Sequence, residues 1–157
     1  MRAALDVLSK FFAIFAGITM VVITLITTGS IIGRWLFNSP LLGDTELVEF
    51  AMAFAVAAFM PICQWRGGNI IVDFFTTNTS APVRDRMDRA GALIIALMAA
   101  LLAWRTGVGA IEQQKMQGST MLMQLPEWIA YASMVPPLVL TAVIALYTTF
   151  TGVTGRQ

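Results

Sequence analysis

The chain has 157 residues, 57% of them hydrophobic and 12% charged, with a net charge of +1. Charge at about half the usual density of a soluble domain assigns it to a membrane, and four spans would use most of the length, which excludes a separate soluble catalytic domain. Zero histidines and one cysteine exclude bis-histidine haem, histidine metal sites, a histidine general base and an internal disulfide, and the near-neutral balance gives no footprint for nucleic acid.

The first span is predicted over residues 11–32, inside the charge-free run from Phe11 to Gly33. That run exceeds the ~20 residues needed to cross ~30 Å of hydrocarbon at ~1.5 Å per residue. Its apolar stretch is too long for a secretory signal and lacks an Ala-x-Ala site, so an uncleaved helix is expected. Thr24, Thr27, Thr28 and Ser30 are expected to bond back to their own helix. Arg34 can snorkel beside an interfacial Trp35. The short Asn38-Ser39-Pro40 connection makes the first two helices antiparallel neighbours.

The second span is predicted over 46–65, with Asp44 or Thr45 as the helix cap and Glu46 in the positive first turn. Ala51, Ala55 and Ala58 form a small-residue stripe that admits a close neighbour, and Pro61 interrupts the last turns. Cys63 is expected to be a small buried packing residue. Residues 66–89 read as an interfacial or partner-covered segment, since Ile70 to Phe75 is apolar but too short to cross. Ser80-Ala81-Pro82 then opens a new helix, with Arg84–Asp88 and Asp85–Arg89 as i, i+4 pairs.

The third span is predicted over 90–111. Its charge-free part covers only about 22 Å, so Arg105 must snorkel or find an acidic partner such as Glu112. A polar stretch through Gln117 follows. The fourth span is predicted over 128–152, anchored by Trp128 and Tyr131 and bent by Pro136-Pro137. Seven basic residues against three place both termini and the second connection in the cytoplasm. The outward rim then carries Asp44, Glu46, Glu49, Glu112 and Glu127.

Glu49 is the candidate for chemistry, because an acidic group at the edge of a span is a functional suspect. Three readings are open: a solvated carboxylate in the helix's first turns, a partner for Arg34 or for a cation on another chain, and a titrating proton site. The ten methionines are scattered and read as apolar filling rather than a metal path. Gly67-Gly68 lacks the context of a phosphate loop. No inverted repeat or mid-depth charge marks a transport path, which favours a scaffold over a pore.

Gly33-Arg34-Trp35-Leu36-Phe37-Asn38, then Pro40 and Glu46-Leu47-Val48-Glu49, then Arg66-Gly67-Gly68-Asn69-Ile70-Ile71-Val72-Asp73, together with Leu125-Pro126-Glu127-Trp128, resemble the small membrane subunit of TRAP transporters, the tripartite ATP-independent periplasmic carriers. The resemblance runs from the first span to the fourth. One departure is Asn69, where many relatives carry histidine. The resemblance implies an all-α, non-enzymatic protein of the bacterial inner membrane, without a cofactor. It would pair with a large multi-span subunit served by a periplasmic binding protein, and brace sodium-coupled uptake of organic acids such as dicarboxylates. Arg34, Glu46 and Glu49 at the outer rim, with Arg66 and Asp73 at the inner rim, are the expected interface or structural contacts. Two alternatives are a homodimeric proton-coupled exporter using Glu49 and a membrane assembly factor without a transport role.

Overall fold

A computed structural model describes residues 2–37, 43–67 and 81–151. Among them are four helices: α1 (Arg2–Phe37), α2 (Asp44–Trp65), α3 (Ala81–Met116) and α4 (Trp128–Thr151). Each is long and apolar enough to cross a membrane, so the chain is a multi-pass membrane protein with an all-helical fold. Both α1 and α3 have 36 residues, about 54 Å at the standard rise. Their excess over a bilayer is polar: α1 begins before the charge-free run, and α3 carries all its Arg and Asp residues except Arg105 in its first turns. Residues 38–42 and 68–80, with Asn69, Asp73 and the middle of the expected interfacial segment, lie outside the described residues, as do the Arg84 and Asp85 side chains, whereas 81–89 form the start of α3.

Packing runs in the order α1, α2, α4, α3, and α1 and α3 share no contact. Small residues set it. Ala16 of α1 meets Ala55 and Ala58 of α2 in one buried cluster, all at 1% exposure or less. With no hydrophobic gain available in lipid, such close backbone approach is the main source of helix association. Ala57 and Ala103 pack on Leu138, joining α2 and α3 to α4. The pairs 16 with 55, and 30 with 44, run in opposite senses, so α1 and α2 are antiparallel. By the same logic α3 and α4 are antiparallel, since Gly107 faces Val135 and Gly109 faces Tyr131, while α2 and α4 run parallel.

Polar groups stitch the helices where the chain buries them. Gln64 donates to the Thr148 hydroxyl at 3.3 Å, and Thr148 donates to the Ala145 carbonyl at 2.9 Å. Pro136 and Pro137 sit inside α4 and remove two helix donors, while Thr141 donates to the Pro137 carbonyl at 2.8 Å. At the end carrying Arg2 and Thr151, Leu5 packs on Leu140 and Ile144. There Arg2 Nε donates to the Tyr147 hydroxyl at 2.7 Å, and Trp65 stacks on Tyr147.

Several local expectations are corrected. Cys63 is exposed, because it lies on the face of Val56, Phe59 and Met60, all exposed, and not on the buried stripe of Ala57, Pro61 and Gln64. Ser30 does not bond to its own helix but reaches Asp44 of α2. Thr24 and Thr27 do bond back, to Met20 and Ile23. The cap of α2 is Gly43, left-handed at φ 87°, with no side-chain cap bond. Its carbonyl accepts from Leu47 N at 3.2 Å. Of the readings open for Arg105, the ion pair with Glu112 does not form among the described residues, and both side chains are exposed.

Candidate functional site: the loop rim of the helix row

The polar side chains of the outward-predicted rim converge where α1 ends, α2 begins and α3 passes to α4. Asp44, the first residue of α2, uses its two oxygens separately. Oδ2 accepts the Ser30 hydroxyl at 2.6 Å, and Oδ1 accepts Thr45 N at 2.8 Å. Ser30 is 1% exposed, so this bond is dry on the serine side. The Arg34 guanidinium stands 3.8 Å from Oδ2 with its side chain 60% exposed, a loose contact worth little by itself. Arg34 therefore pairs with Asp44 and not with Glu49.

Glu46 binds a loop. Its Oε1 accepts Leu122 N at 2.7 Å and its Oε2 accepts Met123 N at 2.9 Å. Both bonds are charge-assisted, and together they fix the loop against the first turn of α2. The loop is built to present those donors. Helix α3 ends with Gln117 at φ 51°, and Gly118 N returns to the Gln113 carbonyl at 3.1 Å, the bond pattern of a left-handed helix stop. Ser119 and Pro126 then form an antiparallel bridge. Thr120 N donates to the Leu125 carbonyl at 3.0 Å, and Leu125 N donates back to the Thr120 hydroxyl at 3.0 Å.

That tight turn projects 121–123 onto the start of α2, where Gly43 leaves room for Met123. A Cβ at Gly43 would overlap the Met123 side chain. The positive φ of Gly43 and this close approach both call for glycine. Met121 at the tip is 97% exposed.

Below the loop, α2 and α4 diverge and leave an open groove of about 390 Å³. Glu49 and Glu127 stand along it with Thr120 and Tyr131, and Phe50, Ala53, Ala130 and Met134 supply its apolar lining. Glu49 is exposed. Neither carboxylate forms an ion pair among the described residues. No group of acidic, cysteine or histidine side chains capable of holding a metal ion occurs among those residues.

Of the five residues singled out from the sequence, Arg34, Glu46 and Glu49 thus share one rim. Arg66 lies at the opposite end, exposed, just past α2, where Gly67 at φ 66° turns the chain. Asp73 lies outside the described residues. Sequence reasoning missed Gly43, Ser30 and the 118–126 turn. The run Gln117-Gly118 was the one legible hint of a helix stop, and the backbone donors met by Glu46 carry no sequence signal. No charged side chain is buried among the described residues, so the helices enclose no charged path of their own there.

The protein-family model described as "Tripartite ATP-independent periplasmic transporters, DctQ component" matches residues 23–155. No curated protein matches the chain, and no solved structure does.

Proposed function

The chain belongs to the family of the DctQ component of tripartite ATP-independent periplasmic transporters, and from that premise we propose that it is the small membrane subunit that braces a large transport subunit during sodium-coupled uptake of organic acids. The observation that carries this reading is the match over most of the chain, from within α1 past the end of α4. The geometry supports a bracing role. The helices form a row with alanine-to-alanine contacts and no buried charge among the described residues, whereas a carrier needs ionisable groups or broken helices around a path.

In this reading the protein sits in the bacterial inner membrane with both termini in the cytoplasm, supported by the seven-to-three bias of basic residues. A periplasmic binding protein delivers the substrate, a dicarboxylate or related acid. The stretch between α2 and α3 lies along the membrane or under the partner. Arg34, Glu49, Arg66 and Asp73 serve the interface, and Glu46 serves it indirectly by fixing the loop.

Co-expression with the large subunit tests the proposal. The tagged chain is expected to retain the large subunit through purification, and the reconstituted pair to take up organic acid only with a sodium gradient and the binding protein. Proton-driven export by liposomes holding this chain alone would overturn the reading.

A further inference from the structure

We propose that the turn at 121–123 is seated in the bilayer: the side chains of Met121 and Leu122 enter the headgroup boundary of the leaflet at the loop rim and hold that end of the helix row at a fixed depth. The inference needs only the multi-pass fold and does not depend on the subunit reading.

The composition of the connection is the first support. From Met116 to Pro126 it carries no charged side chain, and it displays Met116, Met121 and Leu122, all exposed, with Met123 beside them. Exposed apolar side chains gathered on one turn mark a contact with lipid or with protein. The backbone is prepared for lipid, because a segment that leaves water must pair its own donors. Leu122 N and Met123 N end on the Glu46 carboxylate. Thr120 N ends on the Leu125 carbonyl, Glu127 N on the Gly118 carbonyl and Leu125 N on the Thr120 hydroxyl.

Depth is the second support. Met123 lies against Gly43 and Glu46, so the tip stands at the first turn of α2. Asp44 in that turn is level with Ser30 of α1, and Ser30 falls inside the charge-free run that crosses the bilayer. Trp35, 84% exposed, is five residues further out, about 7.5 Å at the helical rise. On the other flank the chain enters α4 at Trp128, two residues after the bridging Pro126. The tip therefore lies between two tryptophans of the kind that mark headgroup depth, where the polar zone is about 5–7 Å thick on each side. Its apolar surface continues the exposed apolar surface of the spans, and a protein docking from water finds no charged group on the turn to recognise. Seated there and tied to α2 by Glu46, the turn resists sinking or rising of the rim.

Two measurements on the full-length chain in nanodiscs of phosphatidylcholine and phosphatidylglycerol, with and without the co-purified large subunit, test the proposal. In the first, an NBD dye is attached at Met121→Cys in a Cys63→Ser background. Blue-shifted emission is expected, quenched strongly by lipids with a nitroxide near the headgroup, more weakly by lipids with it at the chain end, and little by aqueous iodide. Val139→Cys, on the exposed face of α4 near its middle, should reverse the order of the two lipids in the chain alone. The second measurement needs no dye: native Met121 is expected to react with water-borne chloramine-T several-fold more slowly than a free methionine peptide in the same sample. Iodide quenching, with oxidation at the free rate, would put the tip in water and overturn the proposal. Protection from lipid and aqueous quenchers alike once the large subunit is present would overturn it too, by making the tip a protein contact. So would lipid quenching of the dye with native Met121 oxidised at the free rate, which would assign the depth to the dye. If no large subunit is retained, the subunit reading falls, while the chain alone still decides this one.

Discussion

Ser30 and Asp44 join the first two helices through one short bond, hydroxyl to carboxylate at 2.6 Å, with the serine 1% exposed. Arg34 approaches the same oxygen at 3.8 Å but is mostly in the open. The neutral partner should therefore matter more than the charged one. Ser30→Ala is expected to destabilise the folded chain by about 1–2 kcal/mol, and Arg34→Ala by less than about 0.5 kcal/mol. Unfolding in mixed micelles, followed by tryptophan fluorescence, measures both. Equal losses, or a larger one at Arg34, would contradict the assignment.

The Glu46 latch should be visible in amide exchange. Glu46→Gln keeps one acceptor and turns an NH2 group toward a backbone donor, so one of the two bonds is lost. With that bond gone, exchange at Leu122 and Met123 is expected to accelerate measurably. Amides in the middle of α4 should not change. Unaltered exchange at the loop would show that the turn holds itself without the carboxylate.

Gly43→Ala meets two obstacles, a left-handed φ and the Met123 side chain. The contact is with Met123 Cγ and Sδ, so the displacement of that side chain adds to the backbone term of about 1–2 kcal/mol. Gly43→Asn should cost less than Gly43→Ala, because asparagine tolerates that conformation better despite its larger size. If size governed instead, the order in a thermal melt would reverse.

The α1 and α2 contact should reject bulk. Ala58→Leu, at a fully buried position facing Ala16, is expected to destabilise by about 1–3 kcal/mol through overpacking. Val56→Leu on the exposed face of the same helix serves as the matched control and should be close to neutral. Comparable losses in a detergent denaturation series would mean that the two faces are not distinguished as described.

Gaps between charges made the helices legible in the sequence, because length and apolarity alone determine whether a segment can cross. The alanine spacing on α2 was legible too, and Ala55 and Ala58 do meet α1. What escaped depends on contacts distant in sequence. Ser30 had two acceptors within reach in principle, its own helix carbonyl and a carboxylate fourteen residues away, and only the packed structure decides between them. Asp44 looked like a cap by residue type, yet Gly43 takes that position, and the Asp44 carboxylate is engaged by Ser30 instead. Cys63 was placed by its neighbours' apolarity, which in lipid does not separate an inward face from an outward one. The Arg34, Glu46 and Glu49 grouping was legible from their shared rim; their different partners were not.

The helix order α1, α2, α4, α3, with the two flanking helices never touching, makes the molecule a wall instead of a tube. A wall has two sides and no lumen. Any push received on one side passes through a single thickness of helix to the other over most of the row, so a moving neighbour on one face and a stationary surrounding on the opposite face would be coupled through the alanine contacts and the few polar joints beside them. Stiffness, and not capacity, is the property such a shape supplies.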